Sequence, residues 1–174
     1  MAEKEFKGLV QVYTGDGKGK TTAALGLALR ASGQDMKVIF IQFLKTQLGG
    51  EHFIAQKHGL FEIRQFGEGN LFKKPDSELQ EETNQAYQCT EDALTGGKYD
   101  MVILDEIFIA HWRGLLSLQK ILALLDKKPG NVELVLTGRN APPEVVKRAD
   151  LVTEMLMIKH PFSSHIPQRK GIEY

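Results

Sequence analysis

The sequence predicts an α/β protein built around a mostly parallel β-sheet with helices on its faces. Two features of the chain lead to this prediction. Short runs rich in β-branched and other apolar residues alternate with longer segments of helical periodicity, which is typical of βαβ units. In addition, a glycine-rich segment joins the first of these runs directly to the first helical segment. A strand therefore passes through a tight turn into a helix near the start of the chain.

Six segments have the length and composition of buried strands, and they lie at 8–13, 37–43, 61–65, 99–104, 132–137 and 151–157. Between the first two, a helix is predicted at 21–32, and it ends before Gly33. Apolar residues occur nearly all round this helix. We therefore expect it to be buried against the sheet.

The remaining helical segments differ in how much apolar surface they carry. A helix predicted at 78–94 has many charges and few apolar residues, so we expect it at the surface. The segment 107–127 has apolar residues at helical spacing, and Gly114 is expected to divide it into a short helix and a longer one. The segment 67–75 contains two glycines and a proline without periodicity, which predicts an exposed loop.

The glycine-rich segment 14–22 reads Thr-Gly-Asp-Gly-Lys-Gly-Lys-Thr-Thr. Glycines allow successive backbone N–H groups to converge on phosphate oxygens, and the first turn of the next helix adds N–H donors and a positive dipole end. Lys20 would supply a charge to the phosphates and Thr21 a hydroxyl ligand for Mg²⁺. The segment thus predicts binding of a nucleoside triphosphate.

The match to the general phosphate-loop pattern G-x-x-x-x-G-K-[ST] is incomplete, because Thr14 stands where that pattern has a glycine. Three glycines at shifted positions partly compensate: Gly15, Gly17 and Gly19. The alternative interpretation is a surface turn rich in Gly and Lys. The flanking strand and helix favour the phosphate loop, since both lie where its mechanism needs them.

Charged residues follow two of the predicted strands. Asp105 and Glu106 come after the strand at 99–104, and ligands of α/β proteins bind at the carboxyl ends of such strands. One carboxylate there would hold Mg²⁺ or its water, and a second commonly orients a nucleophilic water; the alternative is a helix cap. Arg139 follows the strand at 132–137 and would clamp phosphate oxygens, or else is simply solvated.

The composition limits the partners of the protein. The 174 residues suffice for a single domain, 1–174, and are too few for two comfortable ones. Lys plus Arg and Asp plus Glu both number 22, so no summed positive field favours nucleic acid or an anionic membrane. The N-terminal segment is charged and no apolar run approaches about 18 residues, so we expect a cytoplasmic protein.

The sequence lacks the residue patterns of protein-bound metal sites and of serine nucleophiles. The five histidines and the one cysteine show no spacing of a protein-bound metal site. No serine lies on a nucleophile elbow. We therefore expect the chemistry to use a nucleotide, Mg²⁺ and a second substrate that brings its own reactivity.

Nine segments, in order along the chain, resemble the P-loop-type ATP:corrinoid adenosyltransferases, and together they make the resemblance highly specific: 13–22, 42–45, 49–51, 67–69, 104–106, 137–142, 149–155, 159–162 and 171–174. The resemblance extends from about residue 8 to residue 174. It implies a RecA-like P-loop NTPase fold, a homodimer, and the formation of adenosylcobalamin or a precursor in cobalamin biosynthesis. A flavoprotein-type electron donor is an expected partner.

The activity implied by the resemblance is an unusual group transfer. A corrinoid in the cob(I) state attacks the 5′ carbon of ATP, a cobalt–carbon bond forms, and triphosphate leaves. In such enzymes ATP lies reversed in the phosphate loop and presents its adenosyl end to the corrinoid. A catalytic base is not needed, because the cobalt is already a strong nucleophile and the protein positions it and stabilises the leaving group.

The resemblance also assigns roles to residues of this chain. Thr21 and Glu106 would bind Mg²⁺ with Asp105 beside them, and Thr22 and Arg139 would support the phosphates. The triphosphate cradle would consist of Gly15, Asp16, Gly17, Lys18, Gly19 and Lys20. Of these residues, Lys20, Thr21 and Glu106 would be catalytic.

One departure from the family concerns the lower face of the corrinoid. Better-known members have an aromatic residue, a small polar residue and a tryptophan after Gly-Glu-Gly, and these residues remove the lower axial ligand. This chain has Asn70, Leu71 and Phe72 at those positions. Phe72 is then the best candidate for the role, with help from Leu71.

Two rival functions stay open at this point. One is an ordinary P-loop ATPase or kinase, in which Glu106 would activate water or an acceptor hydroxyl. The other is a nucleotide-gated module that binds a corrinoid without chemistry. The sequence leaves open which corrinoid is preferred, whether it serves synthesis or salvage, and what reduces the cobalt.

Overall fold

The computed structural model describes residues 6–71 and 73–174, and its centre is one sheet of six parallel strands. The α/β class predicted from the sequence is confirmed. The order across the sheet is β3-β2-β4-β5-β1-β6. The strands are β1 (Val10–Thr14), β2 (Val38–Phe43), β3 (Glu62–Phe66), β4 (Met101–Asp105), β5 (Glu133–Thr137) and β6 (Leu151–Glu154).

Six α-helices connect the strands within the described part of the chain: α1 (Lys20–Ser32), α2 (Gly50–His58), α3 (Asp76–Thr95), α4 (Ile107–Trp112), α5 (Leu118–Lys127) and α6 (Pro143–Arg148). The division of 107–127 into two helices is confirmed, and Gly114 between them has a φ of +75°. The helices α2 and α6 were not predicted. Both are short, and α6 buries only Val145, so neither has an extended apolar pattern.

The helices cover both faces of the sheet, which buries the central strands β2, β4 and β5 on both sides. Because successive side chains of a strand point to opposite faces, Phe40 packs with Ala24 and Ala28 of α1 while Ile39 and Ile41 belong to the core on the other face. That second core is completed by α3, α4, α5 and α6. This double burial explains the nearly continuous apolar sequence of the central strands.

The helix α1 packs against the sheet, as predicted, but only one side of it is buried although apolar residues occur nearly all round it. Its alanines Ala24, Ala28 and Ala31 allow the helix to lie close to the sheet. Leu29 on another side is 57% exposed. The reason is geometric, since a sheet contacts one face of a helix and the composition of a helix does not say what covers the rest.

The strand β6 is shorter than the predicted 151–157, and its four residues are exposed. After Glu154 the chain leaves the sheet edge and passes over the loop between β1 and α1, where the carbonyl of Met155 accepts a hydrogen bond from Gly17 N–H at 2.7 Å. No helix in the described ranges is long and apolar enough to cross a membrane. The carboxyl ends of all six parallel strands meet at one edge of the sheet.

Candidate functional site

The loop from Gly15 to Gly19 lies at that edge and is packed beneath the backbone of residues 155–156. A Cβ built on Gly15, which has a φ of +93°, would lie 2.5 Å from the Met155 carbonyl oxygen. A Cβ on Gly17 would lie 2.7 Å from the Leu156 oxygen. These two positions therefore require glycine, because another backbone segment approaches them too closely for a side chain.

Lys20, the first residue of α1, is turned into this loop. Its Nζ donates hydrogen bonds to the carbonyl oxygens of Gly15 and Gly17, both at 2.7 Å, and the residue is 7% exposed. Burial lowers the pKa of Lys20, and the nearby Glu106 carboxylate acts in the opposite direction. The backbone carbonyl groups of the loop thus hold the Lys20 ammonium group at its centre.

Asp105, at the end of β4, connects four elements through hydrogen bonds. Its Oδ1 accepts from the hydroxyl of Thr21 at 2.9 Å and from that of Thr137 at 2.7 Å. Its Oδ2 accepts from Nε2 of Gln42 at 3.3 Å. The residue is fully buried, so its carboxylate acts within the protein and fixes the hydroxyl of Thr21 at the start of α1.

Glu106 differs from Asp105, since one of its carboxylate oxygens has no hydrogen-bond partner in the part of the chain that the structure describes. The residue has a φ of +62°, and its N–H donates to the Thr137 hydroxyl at 3.1 Å. Among the described residues, its buried Oε2 has no hydrogen-bond partner. Burial, with a further contribution from the Asp105 charge, raises the pKa of Glu106. A buried oxygen of this kind suits a cation or a hydrogen-bond donor supplied by a ligand.

A cavity of about 960 Å³ opens above the loop, and Glu106 lies in its wall. Cationic side chains from separate parts of the chain line it: Lys18, Lys20, Lys45, Arg139 and Arg169. Nη1 of Arg139 lies 3.7 Å from Oδ1 of Asp16, and the Arg139 side chain is half exposed. The lining also includes apolar side chains, among them Leu25 and Leu29 of α1 and Ile54 of α2. The cavity therefore offers both cationic and apolar groups to a ligand.

The structure brings most of the predicted binding residues into this cavity: Asp16, Gly17, Lys18, Gly19, Lys20, Thr21, Thr22, Glu106 and Arg139 all line it. Asp105 lies behind Thr21 and is fully buried. Phe72 lies outside the described residues, while its neighbour Leu71 packs against the hydrophobic core. A second cavity, of about 990 Å³ around Asp35, Asp100 and Asn131, contains none of the predicted residues.

Some residues of the site received no role from the sequence. Gln42 and Thr137 are the last or next-to-last residues of apolar strands, and a polar residue in that position is the signal that would have found them. Thr14, which replaces a glycine of the general pattern, accepts a hydrogen bond from Ala141 N–H at 3.2 Å. The contribution of Glu173, whose carboxylate lies 2.6 Å from Lys18 Nζ, has no local signal in the sequence.

The fold and the site define an α/β protein of P-loop NTPase-like architecture, with a cavity lined by cationic side chains at the carboxyl edge of its sheet. The family model described as "ATP:corrinoid adenosyltransferase BtuR/CobO/CobP" matches residues 6–174. The chain belongs to this family, as the resemblance of its motifs predicted.

Several known proteins are similar in sequence to this chain over nearly its full length. A corrinoid adenosyltransferase of Sinorhizobium sp. is 36% identical, and the match covers 100% of this chain and 84% of the relative. The Pseudomonas aeruginosa corrinoid adenosyltransferase is 33% identical over 98% of this chain and 86% of its own length. Corrinoid adenosyltransferase CobA of Salmonella typhimurium is also 33% identical, over 98% and 88% respectively.

The raised pKa of Glu106 predicts a pH-dependent gain in stability for the change Glu106→Gln in metal-free protein. Below the ordinary value of 4.5 the carboxyl is protonated in both states and costs nothing. As the pH rises through the raised pKa, the folded state must carry a charge that burial disfavours, so the wild type loses stability. The amide should therefore raise the free energy of unfolding at about pH 8, by about 1.4 kcal/mol for each unit by which the pKa is raised.

Thermal unfolding from about pH 4 to about pH 8 measures this difference. Glu144→Gln, at an exposed position in the first turn of α6, is the control and should show no gain in stability as the pH rises, because an ionised carboxylate is favourable at a helix N-terminus. A gain for Glu106→Gln of the same size at both ends of the range would contradict the assigned cause.

Proposed function

We propose that this protein transfers the 5′-deoxyadenosyl group of ATP to the reduced cobalt of a corrinoid. The electron pair of cob(I) forms the cobalt–carbon bond at the 5′ carbon, the bond from that carbon to the phosphate oxygen breaks, and triphosphate leaves with the electron pair. The observation that carries the proposal is the cavity itself. It is lined by the glycine-rich loop, by cationic side chains that suit the triphosphate, and by apolar side chains that suit the transferred group.

The proposal gives the triphosphate to the loop and its cations. Lys20 would exchange the carbonyl oxygens of Gly15 and Gly17 for phosphate oxygens, which are stronger acceptors because they carry charge. The N–H of Gly17 is already donated to Met155. The remaining loop N–H groups and the first turn of α1, with Lys18, Thr22 and Arg139, would complete the cradle.

The oxygens of Glu106 and Thr21 also suit Mg²⁺ that is bound together with the nucleotide. Mg²⁺ prefers oxygen ligands and is usually bound by one or two carboxylates together with substrate phosphates and waters. Glu106 offers a buried oxygen without a partner, and Thr21 offers a hydroxyl. The described residues contain no group of three or more His, Cys, Asp or Glu that could hold a metal alone. The bound ion would neutralise charge that develops on the leaving triphosphate.

Within this proposal Asp105 acts through Thr21. Both of its oxygens accept hydrogen bonds from protein groups, and the residue is 0% exposed. It would hold the hydroxyl of Thr21 in place for the ion, while Glu106 faces the cavity. The two adjacent carboxylates thus have different tasks.

We further propose that the loop 67–75 covers the lower face of the corrinoid. Leu71 packs on the core, and an ion pair between Lys74 and Glu82 fixes the far side of the loop to α3. With Leu71 in the core, Phe72 is the candidate to displace the lower axial ligand. A side chain without a lone pair in that place would make cob(I) accessible to mild reductants.

We also propose that the protein is a single domain, forms a homodimer, is located in the cytoplasm and uses a flavoprotein-type electron donor. These proposals rest on the composition and on the family resemblance. The balanced charge gives no reason to expect nucleic acid as a partner.

Product analysis separates the proposed transfer from ordinary ATP hydrolysis, which the unpartnered Glu106 carboxylate would also suit as a base. We expect ATP, cobalamin and a chemical reductant to yield adenosylcobalamin and triphosphate in equal amounts. Absorption spectra follow the cofactor, and anion chromatography separates triphosphate from ADP and phosphate. Abundant ADP and phosphate without triphosphate would exclude the proposal in favour of the ATPase.

Lys20→Ala tests the assignment of the phosphate loop. Loss of a preorganised charge at the leaving group typically costs about 2 to 4 kcal/mol, so adenosylation should slow by about a hundredfold or more. Steady-state rates with saturating corrinoid measure the effect. Lys147→Ala, at an exposed position on α6, is the matched control and should be fully active. Near-normal activity of folded Lys20→Ala would show that the assignment is wrong.

Phe72→Ala tests the assignment of the lower face. The substitution should slow adenosylation of cob(II)alamin with a mild reductant far more than that of cob(I)alamin prepared beforehand, because only the first reaction requires removal of the lower ligand. Phe53→Ala, an exposed phenylalanine of α2, serves as control. Equal slowing of both reactions would mean that Phe72 serves general binding or folding.

A further inference from the structure

The order of the strands places one cavity residue between the phosphate loop and the loop proposed to cover the corrinoid. Lys45 follows β2, whose neighbours are β4, which Glu106 follows, and β3, which ends at Phe66 just before the loop 67–75. The three strands are parallel, so the residues that follow them emerge at the same edge, with adjacent strands about 4.8 Å apart. Lys45 also lines the cavity.

The backbone that carries Lys45 has a strained conformation. Leu44 has a φ of +51°, a value that is unfavourable for a residue other than glycine and persists only where its surroundings fix it. The Leu44 side chain is 8% exposed and belongs to the hydrophobic core. On the other side, a Cβ built on Gly67 would lie 2.7 Å from the Lys45 carbonyl oxygen. The chain after β2 is thus fixed between the core and the start of the loop 67–75.

The ammonium group of Lys45 has a loosely held partner. Its Nζ lies 4.0 Å from Oε1 of Glu51, which is too long for a hydrogen bond, and the two side chains are 28% and 14% exposed. Nδ1 of His52 lies at the same distance from that oxygen, but it accepts a hydrogen bond from Gly49 N–H and has no proton to donate. Glu51 therefore attracts Lys45 by charge, and the ammonium group can turn to a ligand.

The position of Lys45 differs from that of the phosphate-loop cation. Lys20 follows β1, which β5 and β4 separate from β2. Burial raises the pKa of Glu106, and the charge of Lys45 acts in the opposite direction, so Lys45 lies near enough to act on a ligand held at Glu106. In the proposed transfer, the bond that breaks lies between the triphosphate and the corrinoid. Lys45 is then a cation on the corrinoid side of the triphosphate.

We propose that Lys45 is a further catalytic residue, whose ammonium group binds the oxygen that leaves the 5′ carbon, and that Glu51 is the positioning residue that holds Lys45 in the cavity. The inference rests on the proposed function. The electron pair of the breaking carbon–oxygen bond goes to this oxygen, which becomes a terminal, charged oxygen of triphosphate. Lys45 stays protonated and donates a hydrogen bond to it, so no proton is transferred.

Single-turnover adenosylation tests the proposal, with saturating ATP and Mg²⁺ and with cob(I)alamin prepared beforehand, so that reduction does not limit the rate. Lys45→Met removes the charge and keeps a long side chain. It should slow the transfer about a hundredfold, as is typical when one group that stabilises a developing oxyanion is lost. Lys45→Arg should restore most of the rate, because it returns a permanent positive charge.

Calorimetry with two probes separates this role from simple binding of phosphate. The probes are ATP and inorganic tripolyphosphate, each with Mg²⁺. The oxygen in question is an ester oxygen in ATP and a charged oxygen in tripolyphosphate, so a cation that acts on it favours the product. Lys45→Met should therefore weaken tripolyphosphate binding about tenfold and ATP binding less than about threefold.

Glu51→Gln tests the positioning role. It should slow the transfer about three- to fivefold, the range for a partly exposed ion pair, and leave ATP binding unchanged. Combined with Lys45→Met it should cause no further loss, because Glu51 acts only through Lys45. A purely structural contribution of Glu51 would instead add to the loss in the double variant, and the positioning role would be wrong.

Lys57→Met is the matched control, at an exposed position of α2, and Lys57 is not among the described residues that line the cavity. It should match wild type in rate and binding. A wild-type rate for Lys45→Met would overturn the inference, and so would equal weakening of both probes, since Lys45 would then be an ordinary binding contact. Release of ADP and phosphate by the wild type, without adenosylcobalamin, would instead overturn the proposed function.

Discussion

The buried carboxylate of Asp105 is the constraint on which the site depends. A fully buried charge is tolerated only when hydrogen bonds compensate for the loss of water. Asp105 obtains three such bonds, from Gln42 on β2, Thr21 on α1 and Thr137 on β5. The hydrogen bond to Thr21 fixes the start of α1 and thereby the point at which the glycine-rich loop ends. Thr137 also accepts from Glu106 N–H, and this contact directs the next carboxylate toward the cavity.

The loop that this arrangement fixes is already organised around a positive charge. Backbone carbonyls of Gly15 and Gly17 hold the Lys20 ammonium, and the backbone after β6 covers the loop from the other side. Preorganised groups of this kind stabilise developing charge without rearrangement during the reaction. In a transfer whose nucleophile is the reduced substrate metal, the protein has two tasks: to hold the leaving triphosphate and to orient the carbon that is attacked. A cavity lined by both cationic and apolar side chains suits both tasks.

Much of the fold could be predicted from sequence because the central strands β2, β4 and β5 are buried on both faces and therefore appear as short apolar runs. All six strands were located, with differences only at their ends. The helices α2 and α6 were missed because they bury few residues, and β6 was predicted too long because Met155 to Met157 continue its apolar pattern outside the sheet. The exposure of Leu29 could not be predicted either, because the apolar pattern of a helix does not show which of its sides is covered by other elements.

The sequence by itself determined where the glycine-rich loop, the carboxylates after β4 and Arg139 lie along the chain, because these residue types occur in a local order and follow recognisable strands. Only the tertiary structure decided that both oxygens of Asp105 accept hydrogen bonds within the protein, while Oε2 of Glu106 has no partner among the described residues, although the two residues are adjacent and chemically alike. It alone joined Glu173 to Lys18, 155 positions earlier in the chain. The physical reason is that burial and pairing depend on the path of the whole chain, which no local pattern encodes.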